Sequence, residues 1–112
     1  MQGLRIDERI DDGMVVLRLE GELDLVTADR VQERLDEAAG SRADVVIDLS
    51  GVEFMDSTGL RLIVSADLCA KQEGRRLLLR RGPAHVHRVF QIALLEERLT
   101  FVSGADGEGQ EM

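Results

Sequence analysis

The run Asp44-Val45-Val46-Ile47-Asp48-Leu49 constrains the fold more than any other stretch of this chain. Its β-branched side chains favour a pleated backbone. Apolar residues stand at consecutive positions rather than at every second one, which indicates a strand buried on both faces. Strands of that kind belong to parallel sheets covered by helices, so helix and strand should alternate on either side of it.

The flanking segments follow that expectation. Residues 4–9 alternate weakly and read as an edge strand. Asp11-Asp12-Gly13 is a turn signal, and residues 14–19 are rich in β-formers, so the two segments should pair as a hairpin. Gly21-Glu22-Leu23-Asp24 is expected to leave the sheet. Thr27 is placed to cap a helix carrying Ala28, Val31, Leu35 and Ala38 at helical spacing, with Gly40 as its stop. Strand, helix, strand implies a right-handed crossover and parallel pairing. Residues 50–56 read as a loop. A second helix is expected from Ser57 or Thr58 to Glu73, with Arg61, Ser65 and Gln72 on its wet side and Leu60, Ile63, Val64, Ala66, Leu68 and Ala70 over the rest. Asp67 and Lys71 form an i,i+4 pair in the favoured order, and Gly74 ends the helix. Leu77-Leu78-Leu79 reads as the next parallel strand. Gly82-Pro83 then opens a third helix with Val86, Val89, Phe90 and Ala93 inside, and residues 99–102 form a last short strand or extended segment. The fold class is therefore α/β, a mixed sheet opened by a hairpin with helices on parallel crossovers. Residues 1–102 should form one domain, and the polar, Gly-rich residues 103–112 a disordered tail.

Composition narrows the function. Aromatic residues make up 3% of the 112, with neither Trp nor Tyr, so aliphatic side chains must fill the core, and the composition argues against an aromatic platform for stacking bases. The formal charge of −8 repels nucleic acids and anionic membranes and suits docking on a basic partner surface. Cys69 is the single cysteine, so no internal disulfide forms. Within a helical pattern it is expected to be a small core residue. No apolar signal region opens the chain and no apolar run reaches membrane-spanning length, which leads to the expectation of a cytoplasmic protein without membrane contact.

The chemistry concentrates where the 44–49 strand delivers the chain to the second helix. Asp56-Ser57-Thr58-Gly59-Leu60 sets two hydroxyls at a helix N-terminus, where backbone N–H groups are free and the helix dipole is positive. A hydroxyl there can cap the helix or accept a phosphoryl group. Gly59 would let a partner's backbone approach closely. Asp24 and Asp56 read structurally as loop and N-cap acids.

Several segments fall in a telling order: Gly21-Glu22-Leu23-Asp24 leading to Thr27-Ala28, then Val46-Ile47-Asp48-Leu49-Ser50-Gly51-Val52, then Phe54-Met55-Asp56-Ser57-Thr58-Gly59-Leu60, and last Gly82-Pro83-Ala84 before an amphipathic helix. In order and spacing the chain, from residue 4 to about 102, resembles the STAS family, in particular the small stand-alone anti-sigma factor antagonists. The resemblance implies that an anti-sigma factor with a histidine-kinase-like ATPase fold phosphorylates Ser57. It implies that the unmodified form binds that anti-sigma factor and releases a sigma factor, and that a phosphatase acting on phosphoserine resets the switch. Asp24 matches the family's acid near the phosphorylation loop, and Asp56 the acid before the acceptor. The partner surface would thus include Asp24, Asp56, Thr58, Gly59 and Arg61. Three departures stand out. Arg61 replaces a frequent second glycine and puts a cation near the docking surface. No helix-breaking Gly follows Phe90, so the third helix could continue. The tail replaces the family's last helix.

Other chemistries lack residues. Ser57 as a hydrolase nucleophile needs a His base, and His85 and His87, two apart after Gly82-Pro83, are expected on the surface. With Cys69 they make too few ligands for a metal. No G-x-x-x-x-G-K-[ST] or G-x-G-x-x-G motif is present, so no cofactor and no catalysis of its own are expected. A receiver domain would use Asp48 as acceptor, but Lys71, the single Lys, stands in a helix rather than late in the chain. The alternative within the same fold is a non-switching STAS scaffold, of the stressosome type or as a partner in lipid transport.

Overall fold

The computed structural model describes residues 3–102. Its order is β1 (Leu4–Asp11), β2 (Met14–Leu23), α1 (Ala28–Gly40), β3 (Val45–Met55), α2 (Ser57–Gln72), β4 (Leu77–Arg80), α3 (Ala84–Ile92) and β5 (Phe101–Val102). The sheet runs β1-β2-β3-β4-β5. β1 and β2 pair as an antiparallel hairpin, and β2 with β3, β3 with β4 and β4 with β5 are parallel. This is the mixed α/β architecture expected from the hairpin and the parallel crossovers. Residues 103–112, including the expected disordered tail, lie outside the described residues.

β3 is the spine. Val45, Val46, Ile47, Asp48 and Leu49 are all buried, as the unbroken apolar run requires. Asp48 tolerates this position because its carboxylate accepts the Ser50 N–H at 2.9 Å and lies 3.7 Å from the Arg80 guanidinium. One hydrophobic cluster joins Leu17, Leu19, Ile47, Leu49 and Leu79 of the sheet to Val31 and Leu35 of α1, Ile63 of α2 and Val86 and Phe90 of α3.

The structure corrects the sequence reading at several points. Residues 21–23 do not leave the sheet: Gly21, Glu22 and Leu23 pair with Val52, Phe54 and Met55 after register shifts that absorb the irregular backbone. For the same reason residues 50–55 are strand, not loop, and the chain leaves β3 only at Asp56. Gly40 lies inside α1, and the left-handed residue after that helix is Arg42, at φ 59°. Gly74, at φ 74°, does end its helix. Leu68, expected on the apolar side of α2, and Cys69, expected in the core, are both exposed. The third helix does not continue: it stops at Ile92, and Leu94 turns left-handed at φ 60°, leaving Ala93 exposed.

His87 contradicts the expectation of two surface histidines. It is 3% exposed, with its ring edge-on to Phe101 at 4.8 Å between centroids and its Nε2 2.7 Å from Glu96 Oε2. That contact holds the Glu96 carboxyl below its ordinary pKa, with help from Gln91. His85 is exposed as expected, with Nε2 2.6 Å from the Glu53 carbonyl oxygen.

Candidate functional site at the entrances of two helices

β2 and β3 end side by side: Leu23 pairs with Met55, and the Asp56 N–H donates to the Leu23 carbonyl at 3.3 Å. The turn into α1 and the start of α2 are therefore neighbours at the carboxyl edge of the parallel strands, the usual location of sites in such sheets. Asp24 and Asp56, far apart in sequence, arrive there together.

Asp56 is the N-cap of α2. Its backbone is extended, and its Oδ1 accepts the N–H groups of Thr58 at 2.9 Å and Gly59 at 3.3 Å. The cap is thus the carboxylate, which leaves the hydroxyls unspent. Ser57 is the first helical residue and is exposed, and no hydrogen bond among the described residues holds its Oγ. Thr58 is half-buried and faces a shallow groove of about 360 Å³ between α1 and α2, shared with Asp29, Gln32 and Arg61. Arg61 is exposed and makes no ion pair among the described residues.

Asp24 organises the other entrance. Its Oδ1 accepts the Val26 N–H at 3.0 Å and the Thr27 N–H at 3.2 Å, and its carbonyl accepts the Ala28 N–H at 2.9 Å. Thr27 stands at the N-cap position but does not cap with its side chain, contrary to expectation. Its buried hydroxyl donates back to the Glu22 carbonyl at 2.8 Å and accepts the Asp24 N–H at 3.0 Å. Both acids are consequently turn and cap acids.

Gly59 does not belong to an outer contact surface. It is buried, and a Cβ there would lie 2.8 Å from Leu23 Cγ, 2.8 Å from Met55 Cγ and 2.9 Å from the Leu23 carbonyl oxygen. The close approach that Gly59 permits is that of α2 onto the strand ends, not that of a partner.

Three apolar residues escaped the sequence reading of the site. Leu25 is 74% exposed and Val26 84% in the turn after Asp24, and Phe54 is 49% exposed two residues before Asp56. The signal was available: Leu25-Val26 sits between a turn acid and a helix start, where no core position is offered. These exposed apolar side chains stand on the same two strand exits that carry Asp24 and Asp56. Among the described residues no cluster of three or more His, Cys, Asp or Glu could hold a metal, and no helix is long and apolar enough to cross a membrane.

Comparison with known proteins gives this geometry a family. The family profile described as "Mlab, STAS domain" matches residues 6–102. The anti-sigma F factor antagonist of Paenibacillus polymyxa is 33% identical over 92 residues, covering 80% of this chain and 79% of that protein. The crystal structure of an anti-sigma factor antagonist from Mycobacterium paratuberculosis superposes with a TM-score of 0.75 at 26% identity, covering 88% and 85% of the two chains. The Bacillus cell fate determinant SpoIIAA in its phosphorylated form shares the fold at a TM-score of 0.70 and 21% identity, over 93% of this chain and 95% of that one. A five-stranded mixed sheet with three helices and Ser57 at the head of one of them is the architecture these structures share. The chain belongs to the STAS domain family, among relatives named anti-sigma factor antagonists.

Proposed function

We propose that this protein is a cytoplasmic anti-sigma factor antagonist and not an enzyme, switched by phosphorylation of Ser57. The observation that carries the reading is the division of labour at the start of α2: Asp56 takes the capping bonds, and the adjacent Ser57 hydroxyl stands exposed and unbonded among the described residues. The names of the relatives, anti-sigma factor antagonists, favour a regulator over a non-switching scaffold.

In the proposed cycle the unmodified protein docks on an anti-sigma factor through Ser57, Asp24, Asp56, Thr58 and Arg61, with the exposed Leu25, Val26 and Phe54 adding apolar contact, and displaces its sigma factor. That partner, with a histidine-kinase-like ATPase fold, transfers the γ-phosphoryl of ATP to Ser57 Oγ. The Oγ–P bond forms, the bond to ADP breaks and the hydroxyl proton leaves to a base of the kinase. Phosphate adds −1.5 to −2 charges next to Asp56, and the α2 dipole offsets only about 0.3–1 kcal/mol of that. In solution water screens the rest. Under a docked partner the phosphate must be desolvated beside exposed apolar side chains, at a cost of several kcal/mol, so the complex parts while the fold stays unchanged. A phosphoserine phosphatase resets the protein.

The test is incubation with the anti-sigma kinase and ATP followed by mass spectrometry. Phosphate should map to Ser57, and Ser57→Ala should remain unmodified. Stoichiometric phosphorylation of Ser57→Ala on Thr58 would overturn the assignment.

A further inference from the structure

β1 is the outer strand of the sheet, and only its inner side is paired among the described residues. The Glu22 N–H donates to the Gly3 carbonyl at 2.9 Å, and the register with β2 runs unbroken from there to the turn. By the alternation of an antiparallel ladder, Arg5, Asp7, Arg9 and Asp11 aim their backbone groups at β2, and Leu4, Ile6, Glu8 and Ile10 aim theirs outward. Arg30 donates to the outward Leu4 carbonyl and closes that end of the edge. The outward N–H and C=O groups of Ile6, Glu8 and Ile10 have no partner among the described residues.

The side chains of this edge are self-complementary. Arg5, Asp7, Arg9 and Asp11 share one face and alternate in sign. A row of one sign would repel an incoming strand. An alternating row matches its own reverse. Its present ion pairs, Arg5 with Asp7 at 3.3 Å and Arg9 with Asp11 at 3.8 Å, join side chains that are each more than half exposed, so they hold weakly and can re-pair. On the other face Ile6 packs against the core, while Ile10 is 66% exposed.

We infer that β1 is a docking edge for a second copy of this chain, antiparallel about a twofold axis at Glu8. In that register Ile6 stands opposite Ile10 of the second copy, and their outward backbone groups bond each other. Arg5 stands opposite Asp11 of the second copy, and Asp7 opposite its Arg9. These charged pairs fall at the positions without hydrogen bonds, where facing side chains come closest. Sliding the copy by two residues one way sets Asp7 against Asp7 and Arg5 against Arg9. Sliding it the other way sets Arg9 against Arg9 and Asp7 against Asp11. The charges therefore choose the register, and the ladder and the isoleucine contacts hold the copies together. The two Glu8 carboxylates that meet at the axis each have Arg34 at 3.0 Å. Such pairing closes on itself and runs one sheet through both copies, without building a filament.

The test is sedimentation velocity of the intact chain from about 10 µM to about 1 mM, with melting curves to confirm that each variant is folded. Wild type should pass reversibly from monomer to dimer with a midpoint on the order of 100 µM, as fits a contact smaller than a standard interface. Asp7→Arg sets arginines face to face and Arg9→Asp sets aspartates face to face, twice per dimer by symmetry. Each variant alone should associate at least about tenfold more weakly than wild type. Mixed in equal amounts, the two variants meet with opposite charges again, and a mixed dimer should form with a midpoint within about threefold of wild type. The inference is overturned if wild type stays monomeric throughout, if either variant alone associates as tightly as wild type, or if the mixture associates no better than its components. None of these outcomes depends on Ser57.

Discussion

The entrances of α1 and α2 are built from the same materials, an aspartate and a hydroxyl within three residues, and put them to opposite use. At α1 the Thr27 hydroxyl is buried and bonded to Glu22 and Asp24. At α2 Asp56 alone satisfies the first turn, and Ser57 is exposed with its hydroxyl unbonded among the described residues. The first arrangement locks a turn, and the second leaves a hydroxyl at the surface of an ordered helix. A hydroxyl beside an acid is therefore not itself the mark of a modification site. An aspartate carboxylate holds backbone N–H groups at both entrances, and what distinguishes the two is whether the hydroxyl is itself buried and bonded.

Substitutions can break this comparison in graded steps, each read by denaturant or thermal unfolding. The largest effect is expected at Gly59, on which the seating of α2 depends. Gly59→Val forces a branched side chain against Leu23 and Met55 and should cost about 3 kcal/mol or more. A mild effect would mean that α2 does not lie as close to the strand ends as described. Next comes Thr27→Val, which keeps the shape but strands the Glu22 carbonyl and the Asp24 N–H, with an expected loss of about 2 kcal/mol. Asp56→Ala removes a cap and should cost about 1 kcal/mol. Ser57→Ala touches nothing and should stay within about 0.5 kcal/mol of wild type. If Thr27→Val and Ser57→Ala proved equally costly, the contrast between a structural and a free hydroxyl would fail.

Much of this was legible in the chain. The consecutive apolar residues of β3 announced a covered parallel strand, the Asp11-Asp12-Gly13 turn announced the hairpin, and the segment from Asp56 to Gly59 marked the head of α2. What was missed has identifiable causes. Residues 50–55 look like a loop because Ser50, Gly51 and Glu53 break the apolar run, yet pairing with the end of β2 supplies the hydrogen bonds that composition does not promise. Gly59 offers two readings, room for a partner or room for its own sheet, and only the packing of Leu23 and Met55 decides between them. His87 looked like a surface residue because its partners, Glu96 and Phe101, are remote in sequence from its helical turn. Leu25 and Val26 were passed over because exposed apolar residues in a turn carry no periodicity.

In the proposed switch Ser57 acts at the docked surface rather than through the core. The most direct measurement is a binding titration of the anti-sigma factor with unmodified protein and with protein phosphorylated on Ser57, beside melting curves of both. The unmodified protein should bind, and phosphorylation should weaken binding by about a hundredfold or more while leaving the melting temperature nearly unchanged. Phosphorylated protein that binds as tightly as the unmodified form, or that loses binding only because its fold is lost, would contradict the account.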